Sequence, residues 1–336
     1  MKTLSFFTRL LHFFPEEFSH SLALRSLKFL YLIGLLGLLV PKPKCKENLN
    51  QKIKKEDFLS NFKNKVGFAA GLDKNGDYID CLGALGAAFI EVGTITPEPQ
   101  NGNSSPRLFR NKKEQSLLNR LGFNNKGADY LVKRLKHRKS KVIVGTSIGK
   151  NFDTPNEKAF EDYLICLEKV YEYTDYVAVN ISSPNTENLR ELSNKEYLGN
   201  LLSKIKSKQE DLSYFHGYKP VFIKISPDEQ LENLREICNS VLIYKLDGII
   251  CSNTTAEHDD KNGKGGLSGK PLKNKATERL KFVKSIIKDE LPIMASGGVM
   301  SVSDYKEKID AGADLVQIYT GFIFEGPELV REIVNL

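Results

Sequence analysis

The 336 residues of the chain exceed the ~250 typical of a barrel-type α/β domain, so one substantial domain with an added segment is expected. The formal charge of +7 comes from scattered lysines, with no dense basic block or aromatic-interleaved basic stripe; this excludes the usual footprint of a nucleic-acid binder and favours acidic membranes or small anions. Cys45, Cys81, Cys166, Cys238 and Cys251 are an odd set without a C-x-x-C pair, which argues against a disulfide framework, a zinc site or an iron–sulfur cluster and fits a reducing cytosolic compartment.

Residues 1–40 differ from the rest. The run 4–14 is apolar with Arg9 and His12 inserted, Pro15-Glu16-Glu17 opens a second helix, and 29–40 is almost wholly hydrophobic. That last run is shorter than the ~18–20 residues a bilayer span requires, and Gly34 and Gly37 loosen it. Helices lying in the membrane surface are expected, with Lys2, Arg9, Arg25 and Lys28 near headgroups. A secretory signal would need a small-x-small cleavage pattern, which is missing before Pro41; a hydrophobic helical cap on the main domain is the alternative. Residues 41–55, rich in Lys and Pro, read as a linker to a domain at 56–336.

Beyond the linker, eight apolar, β-rich runs stand at 66–70, 89–92, 142–148, 176–181, 221–225, 248–251, 292–295 and 315–318. Amphipathic segments such as 156–173, 194–211, 228–244 and 273–288 separate them, and no pair is joined by an Asn-Gly hairpin turn. This alternation predicts a (β/α)8 barrel. A doubly wound open sheet is the competing fold, but Ala69-Ala70-Gly71-Leu72-Asp73-Lys74 stands where its G-x-G-x-x-G turn belongs.

In a barrel the working face collects the residues just past each strand end. Here these are Gly71 to Lys74, Thr94, Ser147 with Lys150 and Asn151, Asn180 to Asn185, Lys224 with Ser226, Ser252 to Thr255, Ser296-Gly297-Gly298, and Tyr319-Thr320-Gly321. Each group alone is compatible with an ordinary turn or helix cap; eight polar or glycine-rich ends on one rim describe a site. The glycines after the last two strands suit a phosphate held by bare backbone N–H groups. Lys224 suits an anionic ring or a reduced flavin, with an ordinary lysine–carboxylate pair as the alternative. The run Asn180-Ile181-Ser182-Ser183-Pro184-Asn185-Thr186 offers amide donors and acceptors around a hydroxyl placed to act as nucleophile or base. The face lacks paired carboxylates and His-rich ligand sets, which disfavours glycosidase or metal chemistry, and no metal is expected.

Seven ordered motifs resemble the dihydroorotate dehydrogenases, FMN enzymes of pyrimidine biosynthesis, and within them the membrane-associated, quinone-dependent class. They are A-A-G-L-D-K (69–74), E-V-G-T-I-T-P (91–97), P-R-L-F-R (106–110), N-R-L-G-F-N-N (119–125), N-I-S-S-P-N-T (180–186), G-G-L-S-G-K-P-L (265–272) and Q-I-Y-T-G-F (317–322). The resemblance implies oxidation of dihydroorotate to orotate, with Ser183 removing the ring proton; the soluble class has cysteine there. A serine is a poor base at its free pKa, so the site must assist it. Lys74, Asn119, Asn180, Asn185, Asn253 and Thr254 are implied substrate contacts, with Arg120, Leu121, Gly122 and Phe123 in a loop closing over them. One FMN per chain is implied, against Ala70, Gly71, Lys74, Thr94, Ser147, Asn180, Lys224 and Ser252, its phosphate at Gly269, Gly298, Tyr319 and Thr320. Ser147 is commonly asparagine in the family and Ser252 threonine.

The same resemblance gives the first forty residues a role. His20, Arg110 and Tyr319 are implied contacts for ubiquinone or menaquinone, although P-E-E-F-S-H (15–20) carries one residue more than the family pattern before His20. A monomer at the membrane surface is implied, on the cytoplasmic face of the inner membrane in a bacterium. Competing readings are a soluble-type dihydroorotate oxidase using fumarate or NAD, a dihydrouridine synthase acting on transfer RNA, and a non-catalytic nucleotide-binding barrel.

Overall fold

The structure is a computed structural model and describes residues 8, 10–39, 58–186 and 189–336. The expected linker at 41–55, together with Lys2 and Arg9, lies outside the described residues. Eight parallel strands close into a barrel: β1 (Val66–Phe68), β2 (Phe89–Ile95), β5 (Ile143–Ile148), β6 (Tyr176–Asn180), β7 (Val221–Ile225), β8 (Gly248–Cys251), β10 (Ile293–Ser296) and β11 (Leu315–Ile318). Their residues are buried almost throughout, which is why the runs read as continuously apolar rather than alternating. Helices on the outside include Ala159–Val170, Lys195–His216, Leu231–Ile243 and Lys273–Ile287, matching the four amphipathic segments.

The bottom of the barrel is plugged by rings. Phe62 meets Phe89 edge-on at 5.4 Å between centroids, and Tyr176 meets Phe222 at 5.6 Å. Glycines on the strands make the space: a Cβ on Gly67, Gly145 or Gly248 would sit 2.5, 2.0 or 2.3 Å from the rings of Phe89, Tyr176 and Phe222 respectively. Large and small side chains thus interlock across the strands, so the barrel floor is solid and ligands are confined to the other end.

A second sheet was not anticipated. β3 (Leu108–Asn111), β4 (Ser116–Asn119) and β9 (Gly266–Gly269) form an antiparallel sheet in the order β3-β4-β9 over the mouth of the barrel. Strands β3 and β4 are a hairpin whose turn runs through Lys112, Lys113, Glu114 and Gln115, where Gln115 takes the positive φ of 48° in place of a glycine. Without Asn-Gly, the usual hairpin signal is absent.

The N-terminal segment is a helix, α1 (Glu16–Leu32), followed by the short α2 (Leu36–Leu39). Pro15 precedes the first turn, where a missing N–H costs nothing, and Glu16 and Glu17 favour the positive end of the helix. The apolar run 29–40 is broken at Gly34, whose φ is +75°. α1 buries Leu24 and Leu27 against the barrel while leaving Phe18, Phe29 and Leu32 exposed, so it is apolar on both sides. Among the described residues, no helix is long and apolar enough to cross a membrane.

Candidate active site

Two cavities lie at the mouth of the barrel. The first is a cleft of about 1040 Å³, counting space open to solvent, over the C-terminal strand ends. Strand register builds it: Asn180 on β6 is directly opposite Lys224 on β7. Ala70, Gly71, Lys74, Thr94, Asn119, Leu121, Gly122, Phe123, Asn180, Ser183, Asn185, Lys224, Ser252, Asn253, Thr254, Gly269, Gly298, Tyr319 and Thr320 all line it.

Amides and hydroxyls hold one another in place there. Asn180 Nδ2 donates to Thr94 Oγ1 (3.0 Å), and its Oδ1 accepts from Ser182 N (3.2 Å) and Asn253 Nδ2 (3.3 Å). Asn185 Nδ2 donates to Asn119 Oδ1 at 2.8 Å, and Asn119 Nδ2 donates to Gly266 O at 2.9 Å. Ser183 Oγ is buried and accepts from Asn185 N at 3.3 Å. Lys74 Nζ donates to Asn124 Oδ1 at 2.5 Å. Burial pulls the Lys74 ammonium down to about 7, with Arg107 lowering it further and Glu17 opposing.

Lys224 meets both of its readings. It lines the cleft and is also paired with Glu91 at 3.1 Å. The Glu91 carboxylate is 0% exposed and accepts from Tyr176 OH (3.2 Å) and Gln317 Nε2 (2.7 Å) as well. Three donors offset the desolvation of that charge. They also leave Gln317 Oε1 buried without a partner among the described residues, on a side chain lining the cleft. An orphan acceptor of this kind fits a ring N–H of a ligand. Gly269 and Gly298 also line the cleft, and both are required by packing: a Cβ on either would fall 2.3 Å from Gln115 O or 2.2 Å from Lys273 Cα. Ser268 and Thr320 hydroxyls, 2.8 Å apart, complete this end.

Two expected residues do not line the cleft. Ser147 is fully buried behind Thr94, with the two hydroxyls 2.8 Å apart; the short side chain supports the lining and does not reach it. Arg120 is directed away from the cleft, donating to Asn262 O at 2.9 Å and stacking over Phe109 at 4.8 Å. Several residues were overlooked. Asn124, Ser268, Gln317 and Glu91 lie inside the seven family motifs, where their polarity is the available signal. Arg190 had no local signal: its guanidinium donates to Ser182 O (3.3 Å), Thr254 O (3.2 Å) and Asp228 (2.9 Å), clamping two rim loops together.

The second cavity, about 2050 Å³ on the same measure, lies between α1 and the barrel and is lined mainly by apolar residues such as Leu11, Phe14, Leu22, Leu30 and Phe322. Its polar groups include His20 and Arg110; Tyr319 instead faces the first cleft. Arg110 donates to Ser19 Oγ at 2.7 Å, and its buried Nε has no partner among the described residues. Burial holds His20 down at about 4, with Lys74 adding to the shift, so its imidazole is neutral near pH 7. Both acidic residues ahead of His20 are used, Glu16 by Arg110 N (3.2 Å) and Glu17 by Arg107. Leu108 and Leu117 line both cavities and form the wall between them.

A family model described as dihydroorotate dehydrogenase matches residues 49–335. Dihydroorotate dehydrogenase (quinone) of Aliivibrio fischeri is 52% identical over 281 residues, 82% of this chain and 84% of the relative. The Coxiella burnetii protein of the same name is 47% identical over 326 residues, 95% of this chain and 92% of its own length. A crystal structure of the Eimeria tenella enzyme with ferulenol superposes with a TM-score of 0.84 at 32% identity, covering 96% of this chain and 90% of that one. Motifs, closed barrel and relatives agree, and the chain belongs to the dihydroorotate dehydrogenase family.

Proposed function

We propose that this protein oxidises dihydroorotate to orotate in pyrimidine biosynthesis and delivers the electrons to a quinone, using one FMN per chain. The observation that carries this reading is the adjacency of a polar cleft containing Ser183 and a largely apolar cavity containing Arg110, separated by Leu108 and Leu117. When bound, FMN supplies the hydride acceptor for the substrate and the electron donor for the quinone. Gln317 and Lys224 would hold its ring, and Gly269, Gly298 and Thr320 its phosphate, beside Ala70, Gly71 and Thr94.

On the substrate side, Lys74 meets the carboxylate, while Asn119, Asn180, Asn185, Asn253 and Thr254 meet the ring amides. Ser183 takes the proton from the ring carbon next to the site of hydride loss. For this the Ser183 hydroxyl proton must pass on to solvent, and the Asn185 N–H on its oxygen favours the alkoxide character that lets it accept the ring proton. Leu121, Gly122 and Phe123 cover the substrate; Phe123 is held at φ +52° by the hydrogen bond from Asn125 Nδ2 to its carbonyl (2.7 Å).

On the acceptor side, the free Arg110 Nε–H is placed to donate to a quinone carbonyl, and neutral His20 avoids adding a further buried charge to the cavity. The exposed Phe18 and Leu32 on α1 support peripheral seating in a membrane, which a lipid-tailed acceptor requires. In a bacterium this would be the cytoplasmic face of the inner membrane, with the protein acting as a monomer and ubiquinone or menaquinone as acceptor.

The test is dihydroorotate-dependent reduction of a ubiquinone analogue by the purified full-length protein, with fumarate and NAD in parallel. Turnover with quinone alone is expected. Turnover only with a soluble acceptor would overturn the role given to α1 while keeping the substrate chemistry.

A further inference from the structure

The segment linking the two cavities contains an ion pair that the proposed chemistry does not use. Arg107 Nε lies 3.1 and 3.3 Å from the two carboxylate oxygens of Glu17, and its terminal nitrogen lies 3.2 Å from the second. The other terminal nitrogen donates to Asn101 O at 2.6 Å and Asn103 O at 2.9 Å. The Arg107 side chain is 15% exposed and that of Glu17 40%. An exposed lysine pair would contribute little, but a guanidinium with all three nitrogens engaged fixes its neighbours in one geometry.

Those neighbours lead to the polar cleft. Asn103 N donates to Leu121 O at 3.2 Å, and Asn103 Nδ2 donates to Asn185 O at 3.3 Å. Gly102 sits so close beneath the loop that a Cβ would fall 2.2 Å from Leu121 O. Arg120 N donates to Arg107 O at 2.7 Å, and Gln100 Nε2 to Gly122 O at 3.0 Å. The turn at 101–103 is therefore the base on which Leu121, Gly122 and Asn185 rest, and all three line the cleft. Glu17 is carried on α1, whose neighbouring residues Glu16, Ser19 and His20 line the apolar cavity.

We propose that Glu17 is a positioning residue for substrate binding: from α1 it locks Arg107, and through Arg107 the turn at 101–103, so that seating of the N-terminal helix tightens the cleft around its ligand. This rests on the reading of the polar cleft as the dihydroorotate site. The coupling is reciprocal, so a ligand in the cleft must in turn favour the seated helix. The Lys74 ammonium lies within the field of the same pair, Arg107 opposing its charge and Glu17 restoring it. Loss of the Glu17 carboxylate therefore weakens both the shape and the charge of the substrate side.

The experiment is titration of orotate into the full-length flavin-loaded protein, followed by the change in flavin absorbance, for wild type, Glu17→Gln, Glu17→Asp and Arg107→Lys. Dye-linked kcat and KM and the thermal midpoint are measured in parallel. Glu17→Gln and Arg107→Lys are expected to weaken orotate about 5- to 20-fold and to raise KM for dihydroorotate alike, with dye-linked kcat within about 2-fold; Glu17→Asp recovers most of the loss. Saturating orotate is expected to slow hydrogen exchange across α1 in wild type and not in Glu17→Gln. An orotate affinity within about 2-fold of wild type in Glu17→Gln overturns the proposal, whatever Arg107→Lys or the thermal midpoint does. Failure of wild type itself to respond to orotate instead overturns the underlying substrate reading.

Discussion

The two cavities are built from opposite materials though they share a wall. The cleft over the barrel is lined by amides, hydroxyls and two lysines, whereas leucine and phenylalanine predominate in the cavity under α1, whose polar groups include Ser19, His20 and Arg110. Residues 71–74 show the division at its finest: Gly71 and Lys74 face the cleft, and Leu72 between them faces the apolar cavity. A polar acid needs each buried heteroatom matched, because an unmatched one costs ~1–3 kcal/mol. A lipid-tailed acceptor needs apolar area and one or two donors at its head. Two such partners cannot share one lining, so a thin apolar partition lets one protein serve both.

Breaking the polar side at its reacting atom should have the largest effect. Ser183→Ala is expected to keep bound flavin and slow its bleaching by dihydroorotate at least ~100-fold, the lower end of general-base contributions. Stopped-flow absorbance checks this, and near-normal bleaching would remove Ser183 from the mechanism. Removing residues 1–40 attacks the apolar side instead. If on the order of 100 Å² of contact to the acceptor is lost at ~25 cal/mol per Å², about 2.5 kcal/mol and roughly 70-fold in kcat/KM for a long-tailed quinone disappear. Bleaching at saturating dihydroorotate should survive the deletion; unchanged quinone turnover would show that the segment has another task.

Smaller changes sharpen the contrast. Lys74→Gln should weaken orotate about 10-fold or more, since hydrogen bonds to charged groups contribute ~1.5–3 kcal/mol, and leave the quinone KM alone; equilibrium titration and steady-state kinetics separate the two. The smallest effect is a pH dependence. In the free site Lys74 titrates at about 7, and a bound carboxylate favours its charged form. Orotate binding should therefore be level below that pH and weaken above it, by at most about tenfold per unit, with proton uptake on binding. Calorimetry at pH 6 and pH 8.5 in buffers of different ionisation heat reads this directly, and equal heats in all buffers at pH 8.5 would sink it.

Much of the barrel was legible because each of its strands is buried on both faces and bracketed by amphipathic helices, so composition alone separates the runs. The rim was legible for a related reason: residues just past parallel strand ends share one face whatever the loops do. Illegible were the features made by contact between distant segments. β3, β4 and β9 are four residues each, and β9 comes from beyond β8, so nothing local marks them as one sheet. Ser147 and Arg120 carried the right polarity at the right position in the chain; the Thr94 hydroxyl engages the one, and Asn262 O with the Phe109 ring the other, away from the cleft.

By itself, the sequence determined the strand and helix periods, the polar rim, the motif set that marks the family, and an apolar N-terminal segment too short to span a bilayer. These are properties of composition and spacing, which survive unfolding. Only the tertiary structure decided that Lys224 is both a cleft residue and half of a buried ion pair with Glu91, that Arg190 clamps two loops, and that Glu17 reaches Arg107 across ninety positions of chain. Such choices depend on side chains competing for the same partner in space, and that competition exists only after the barrel has closed.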